Sequence, residues 1–147
     1  MALMSALLGQ LRPLRGRTAA ARPAGRVILH GQSRRAYAFE LHSAAARLED
    51  SPAVYIYARR RSSEVDGARG GAAGAFDIGF VGHTEAMGRR AEEHERFGHF
   101  VGHGFDTLLL LNVEHELIRI GIAEDMLAAH RPVLNELLRR YHDAGLS

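Results

Sequence analysis

Phe80-Val81-Gly82-His83-Thr84, continued by Glu85-Ala86-Met87-Gly88-Arg89-Arg90-Ala91-Glu92-Glu93-His94, is the stretch that decides the fold. It reads as a strand, a tight turn and a helix. Gly82 allows the backbone to turn sharply. Thr84 is a suitable N-cap because its hydroxyl can accept an amide of the first helical turn, where the helix dipole also favours Glu85. The sequence therefore predicts a corner at which His83 and Thr84 place polar groups at the strand end.

The helix of this stretch carries an Arg and a His on one border. A helical repeat turns Met87 and Ala91 inward and puts Arg90 and His94 at the edge of the same face. Arg89 then points to solvent. Such a pair at a strand-to-helix corner can bind an oxyanion or a phosphate. A solvated basic helix face would give the same pattern, and this stretch alone favours that simpler interpretation.

The remaining periodicities predict further strands and helices. Residues 36–41 and 54–58 have the alternation or the β-branched and aromatic content of strands, and residues 76–81 resume as a strand after a glycine-rich loop at 67–74. The continuous apolar run at 108–111 suits a central strand covered on both faces. We expect one or two helical turns at 43–48, a long helix that Pro132 ends, and a short terminal element.

These elements predict a small α/β domain of the α+β type, in which helices pack on a three- to four-stranded, mainly antiparallel sheet. The domain is expected to occupy residues 36–147. Residues 1–35 are expected to form a disordered, Arg-rich tail, so that deletion of residues 1–33 would leave thermal stability nearly unchanged. A transit peptide or a start codon assigned too far upstream would give the same composition.

Charge is distributed unevenly along the 147 residues. All 19 basic residues are Arg; seven lie in residues 1–36, which hold no acid, and residues 37–147 carry 12 Arg against 17 acids. The expected domain is therefore net acidic, so its composition gives no support to strong non-specific DNA binding, although the tail could supply phosphate affinity. The tail is too short and too charged to span a membrane. No membrane partner is predicted, and the cytoplasm is favoured over an organelle.

His99 and His103 stand four apart, a spacing that can bind a metal on a helix. Glycines at 98, 102 and 104 argue against a helix there, and no third ligand stands at a matching interval. A zinc site is therefore not predicted.

The order of motifs resembles the GIY-YIG nuclease superfamily over residues 53–135. The resemblance rests on Ala53-Val54-Tyr55-Ile56-Tyr57, on the Gly-x-Thr at 82–84 followed by Met87, Arg90 and His94, and on Pro132-Val133-Leu134-Asn135 after a long helix. The lead-in Phe39-Glu40-Leu41-His42 is similar to that of small bacterial members.

The resemblance implies hydrolysis of phosphodiester bonds in nucleic acid, with DNA ranked above RNA. It implies that Tyr55 helps to activate water, that Arg90 holds the phosphate, and that Glu124 binds one divalent cation, Mg²⁺ or Mn²⁺. His94 could assist a proton transfer near neutral pH. His83 and Thr84 are candidate substrate-binding residues with Asn135, which would also anchor the terminal segment. Taken alone, Tyr55 and Asn135 would be read as a packed aromatic and a turn former.

Two departures separate the chain from that pattern. Phe80 replaces the phenol expected at the second motif. The usual spacing back from Pro132 reaches Ala123, and Glu124 stands one residue later, about 100° away on a helix. A local bulge near Gly121 could rotate Glu124 into the site; in a regular helix, Ala123 would face it.

The sequence leaves two functions open. The first is a metal-dependent GIY-YIG-like endonuclease, favoured because Tyr55, Arg90 and His94 are all present. The second is a catalytically degenerate domain of the same kind that binds nucleic acid or a protein.

Overall fold

The computed structural model describes residues 20–61 and 75–143. Residues 1–19, which include most of the expected tail, and the glycine-rich loop at 67–74 lie outside the described residues. The strands of the described part are β1 Gly25–His30, β2 Ala36–Ser43, β3 Ala53–Arg60, β4 Phe76–Thr84 and β5 Thr107–Asn112. The helices are α1 Met87–Phe97, a short 3₁₀ turn Val101–His103, α2 Glu116–His130 and α3 Val133–Asp143.

One sheet organises the described part of the chain. Its strand order is β1-β2-β5-β3-β4, and all neighbouring strands are antiparallel. The α+β class is therefore confirmed, with five strands in place of the three or four expected. The apolar run of β5 lies at the centre between β2 and β3, and its Leu108 and Leu109 are fully buried, as the sequence predicted.

The domain boundary predicted at residue 36 is wrong. Residues 25–30 form β1, which pairs with β2 from Gly25 opposite Leu41 to His30 opposite Ala36. Val27 and Leu29 are buried and the residues between them are exposed, so this segment has the two-residue period of a half-buried strand. The strand lies within an Arg-rich stretch, so composition alone assigned it to the tail.

A hydrogen-bonded cluster ties the β1–β2 hairpin to α2. The Asp125 carboxylate accepts hydrogen bonds from the Ser33 amide at 2.8 Å, the Ser33 hydroxyl at 2.6 Å and the Tyr37 hydroxyl at 2.7 Å. These bonds hold the pKa of Asp125 below its usual range. Residues 31–35 are thus joined to the domain by contacts to its long helix.

The two faces of the sheet carry different layers. Val54 and Ile56 of β3 belong to a core cluster with Ala123 and Met126 of α2. The alternate residues Tyr55 and Tyr57 belong to a second cluster on the opposite face, built with Met87 and Ala91 of α1 and Leu134 of α3. A strand turns successive side chains to opposite faces, so α2 covers one side of the sheet and α1 with α3 covers the other.

A β-bulge in β4 decides the direction of Phe80. Tyr57 pairs with Phe80 and Ala58 pairs with Ile78, which leaves Gly79 without a partner in the ladder. Ile78 packs on the α2 side and Phe80 on the α1 side. Because a bulge inserts one extra residue, it brings Phe80 onto the same face as Tyr55.

The corner before α1 differs from the prediction. The helix begins at Met87, and its N-terminal amides are bonded by the preceding loop: Met87 N–H donates to Ser51 O, and Arg89 N–H donates to Asp50 Oδ1 at 2.8 Å. The Thr84 hydroxyl accepts the Ala86 amide at 3.1 Å in the turn and does not cap the helix. Residues 43–48 were expected to be helical, but Ser43 ends β2 and residues 44–48 form a turn and irregular structure.

None of the described helices is both long and apolar enough to cross a membrane.

Candidate functional site

A chain of hydrogen bonds connects β3 to the C-terminal end of α1. The Tyr55 hydroxyl lies 2.9 Å from Nε2 of His94, and Nδ1 of His94 lies 2.9 Å from Nδ1 of His99. Tyr55 is 1% exposed and His94 is 8% exposed. The structure therefore brings together two residues that the sequence predicted as catalytic and joins them to His99, which had been considered only as a metal ligand.

Gly82 makes room for the Tyr55 ring. A Cβ at this position would lie 2.7 Å from both Cζ and Oη of Tyr55, closer than side chains approach. Gly82 is in the strand interior and, unlike Gly98 and Gly104, does not have a positive φ. The expected turn at Gly82 is thus wrong, and its function is the close approach of an aromatic ring to the backbone.

Burial determines the protonation states of the hydrogen-bonded side chains Tyr55 and His94. Burial raises the pKa of Tyr55 to about 12, and the charge of nearby Arg90 offsets part of the rise. Burial, with the neighbouring His99 and Arg90, lowers the pKa of His94 from 6.5 to about 3. At pH 7 the phenol and the His94 ring are both neutral, so the hydrogen bond between them joins two neutral groups.

An aromatic cluster surrounds these groups. Phe80 lies 6.0 Å from Tyr55 and 5.8 Å from His94 between ring centroids, and Phe100 lies 4.6 Å from His94. Tyr57 stacks on Phe100 at 4.3 Å. A phenol at position 80, which the resemblance led us to expect, would stand beside Tyr55 and His94. The cluster buries Tyr55 and most of the His94 ring, and this burial is the main cause of their pKa shifts.

Arg90 stands at the border of the buried chain, as the helical phase predicted. Its side chain is 42% exposed, and its Nε lies 3.4 Å from Oε1 of Glu93, an exposed pair that contributes little stability. The Arg89 side chain is 71% exposed and is engaged by Asp50, with Nη2 3.1 Å from Oδ2. Of the two neighbouring arginines, Arg90 is therefore the one that borders the Tyr55 hydroxyl while its side chain also reaches solvent.

A cleft of about 440 Å³ opens beside Arg90, between the end of β4 and the first turns of α1 and α2. Both substrate-binding residues predicted at the strand end lie on it, His83 half-buried and Thr84 buried. Its charged groups are Glu85, Arg89, Arg90, Glu116 and Arg119. The cleft therefore has three guanidinium groups against two carboxylates.

Arg119 was not singled out from the sequence. It is 2% exposed, and its Nη1 donates to the carbonyl oxygens of Val113 at 3.2 Å and Glu114 at 3.0 Å. Its Nε is buried and has no hydrogen-bond partner among the described residues. Among the described residues no carboxylate lies within ion-pair distance of Arg119. A charged residue in an apolar helix face is the sequence signal that could have identified it.

Asn135 has a structural role. Its Oδ1 accepts the Val81 amide at 2.9 Å, and its Nδ2 donates to the Val81 carbonyl at 2.9 Å. The amide group thus bonds both backbone groups of one residue on the edge strand β4 and holds α3 to the sheet. This contact matches the anchoring function predicted for Asn135. The predicted substrate contact of Asn135 stays a prediction.

The structure does not bring Glu124 to the site. Tyr55 faces α1, whereas α2 covers the other side of the sheet, where Ala123 is buried against Val54 and Ile56. Glu124 is exposed and lines a separate depression with Gln32 and Arg35 of the β1–β2 turn. The helix is regular across Gly121, so neither the expected rotation of Glu124 nor the expected exposure of Ala123 to the site occurs.

Glu124, the residue predicted to bind a divalent cation, cannot share one with Tyr55 and Arg90, because α2 lies on the other face of the sheet. Within the described ranges, no three His, Asp or Glu side chains are grouped as a metal site. The carboxylates nearest to Arg90 in the cleft are Glu85 and Glu116.

Comparisons of the chain with family models, with curated proteins and with solved structures find no match.

Proposed function

We propose that this chain is a nucleic-acid-binding domain of GIY-YIG-like arrangement, which holds a backbone phosphate with Arg90 at the cleft beside β4. One observation carries the proposal: the Arg90 side chain is half-exposed at the cleft, and its charge is close enough to the buried hydroxyl of Tyr55, the partner of His94, to lower the pKa of that phenol. A guanidinium can donate two parallel hydrogen bonds to a phosphate, and this geometry requires a fixed stem.

Binding is better supported than cutting because Tyr55 and His94, two of the three residues predicted as catalytic, are buried. Tyr55 is 1% exposed and keeps its proton at pH 7. His94 is a very weak base, so transfer of the phenol proton to it is unfavourable. The hydrogen bonds that link Tyr55, His94 and His99 therefore hold α1 in place on the sheet. Because Arg90 belongs to α1, they also fix the position from which its side chain extends.

The charges around the cleft restrict how nucleic acid can approach. The outer face of α1 carries Glu92, Glu93 and Glu95, all exposed, and these repel a phosphate backbone. Contact is therefore local and involves few phosphates, with DNA ranked above RNA. We expect a shallow salt dependence, since the slope of log K against log salt follows the number of phosphates neutralised.

The test is fluorescence anisotropy with labelled single-stranded, duplex and branched DNA and with single-stranded RNA, over a series of salt concentrations. The proposal predicts binding to at least one of these that weakens about tenfold or more in Arg90→Ala. Affinity that is the same in wild type and Arg90→Ala would contradict it.

Endonuclease activity is the second candidate. One observation favours it: Glu116 places a carboxylate on the same cleft as Arg90. Incubation of each substrate with Mg²⁺, Mn²⁺ or EDTA tests for cleavage. Cleavage lost in Glu116→Gln and retained in Glu124→Gln would support a nuclease that uses this cleft, and the reverse result would contradict it.

A further inference from the structure

We propose that the cleft contains a second phosphate subsite, formed by Arg119 and the N-terminus of α2. This subsite would extend the proposed function. The inference rests on that function where nucleic acid supplies the phosphate. The ligand is a phosphate group, either within a nucleic-acid backbone or as a free phosphate.

The first observation is the isolated charge of Arg119. A buried ion is costly unless it is paired, and Arg119 has carbonyl oxygens as partners but, in the described part of the chain, no carboxylate within 4.0 Å. Its Nε has no acceptor although it is fully buried. Because Arg119 lines the cleft, an anion entering there would supply the missing countercharge.

The second observation is the start of α2. His115 is the N-cap, and it makes no side-chain capping hydrogen bond. The amides of Glu116, Leu117 and Ile118 have no acceptor among the described residues, whereas the first amides of α1 are bonded by residues 49–51. α2 is 15 residues long, so its free amides and its dipole favour an anion at this end.

Glu116 sits at the mouth of this subsite and opposes it. Its carboxylate lies on the cleft with Arg119 one helical turn further on, and it makes no ion pair within the described residues. Removal of that negative charge should therefore strengthen phosphate binding. A merely structural Arg119 would give no such effect.

The test is a titration of the full chain with inorganic phosphate, followed by amide chemical shifts, against sodium chloride of matched ionic strength. We expect phosphate to shift the amides of residues 116–119, and Glu116→Gln to tighten binding about three- to fivefold, as expected for loss of one like charge in a partly solvated cleft. Arg119→Gln should abolish the shifts in a protein that is still folded. Glu116 is exposed, so Glu116→Gln should leave the protein folded. Its effect on phosphate affinity therefore tests the subsite even if Arg119→Gln unfolds the protein.

Shifts that chloride reproduces, or an affinity that Glu116→Gln leaves unchanged, would overturn the inference. In that event DNA binding sensitive to Arg90→Ala would still support the proposed function. Phosphate binding at residues 116–119 without nucleic-acid binding would instead support the subsite and contradict the proposed function.

Discussion

The Tyr55 hydroxyl and Nε2 of His94 lie 2.9 Å apart in the interior of the domain, across 39 residues of sequence. This bond joins β3 to α1 one turn beyond Arg90. The exposed part of Arg90 thus extends from a helix whose rotation is fixed by a buried contact, which limits the positions that the guanidinium can take.

Stability should fall in mild acid because of His94. Its pKa is lowered to about 3 in the folded protein from 6.5, so below pH 6.5 the unfolded chain takes up a proton that the folded chain refuses. The stability that the depressed pKa of His94 affects is fully present above pH 6.5 and is lost as the pH falls toward 3. The expected slope is up to about 1.4 kcal/mol per pH unit. Urea unfolding of wild type and His94→Gln between pH 7.5 and 4.5 measures it, and parallel pH profiles would contradict the shift.

Gly82→Ala should destabilise the protein by about 1–3 kcal/mol, because its methyl group would displace the Tyr55 ring. Gly121→Ala is the matched control, since the Cβ of residue 121 meets nothing within 4 Å on an exposed turn of α2. That change should stabilise by about 0.5–1 kcal/mol. Thermal or urea unfolding of both variants measures the two changes in the free energy of unfolding. Equal changes would show that the Tyr55 ring is not packed against Gly82.

Deletion of residues 1–33 should cost about 3–6 kcal/mol, in contrast to the neutral effect expected from the sequence. The deletion removes the buried side chains of Val27 and Leu29 and the Ser33 contacts to Asp125. Urea unfolding of the shortened chain measures the loss. Unchanged cooperative unfolding would mean that β1 contributes no stability.

Asn135→Ala should lower stability by about 1–3 kcal/mol, because it leaves the amide and carbonyl of Val81 without partners. The folded protein should keep its affinity for nucleic acid. A variant with normal stability and lost binding would instead restore Asn135 as a substrate contact. Unfolding curves and anisotropy titrations on the same sample distinguish the two.

Local sequence patterns predicted most of the fold and part of the site. The β-branched and aromatic content of 54–58 placed Tyr55 on a strand, and the resemblance to the GIY-YIG superfamily singled it out. The apolar run at 108–111 predicted the central strand, and the helical repeat placed Arg90 beside His94. Three features depend on long-range geometry that no local pattern reports. The bulge at Gly79 turns Phe80 toward Tyr55, and β1 is recognised only once it pairs with β2. Glu124 is separated from Tyr55 because α2 covers the opposite face of the sheet.

Comparison of Arg90→Ala with Arg89→Ala tests the central claim most directly. Both residues line the cleft, but Arg89 is engaged by Asp50 and Arg90 borders the Tyr55 chain. We predict that Arg90→Ala weakens nucleic-acid binding about tenfold or more, that Arg89→Ala changes it less than about threefold, and that both stay folded. Equal losses, or a larger loss in Arg89→Ala, would contradict the assignment of the phosphate contact to Arg90.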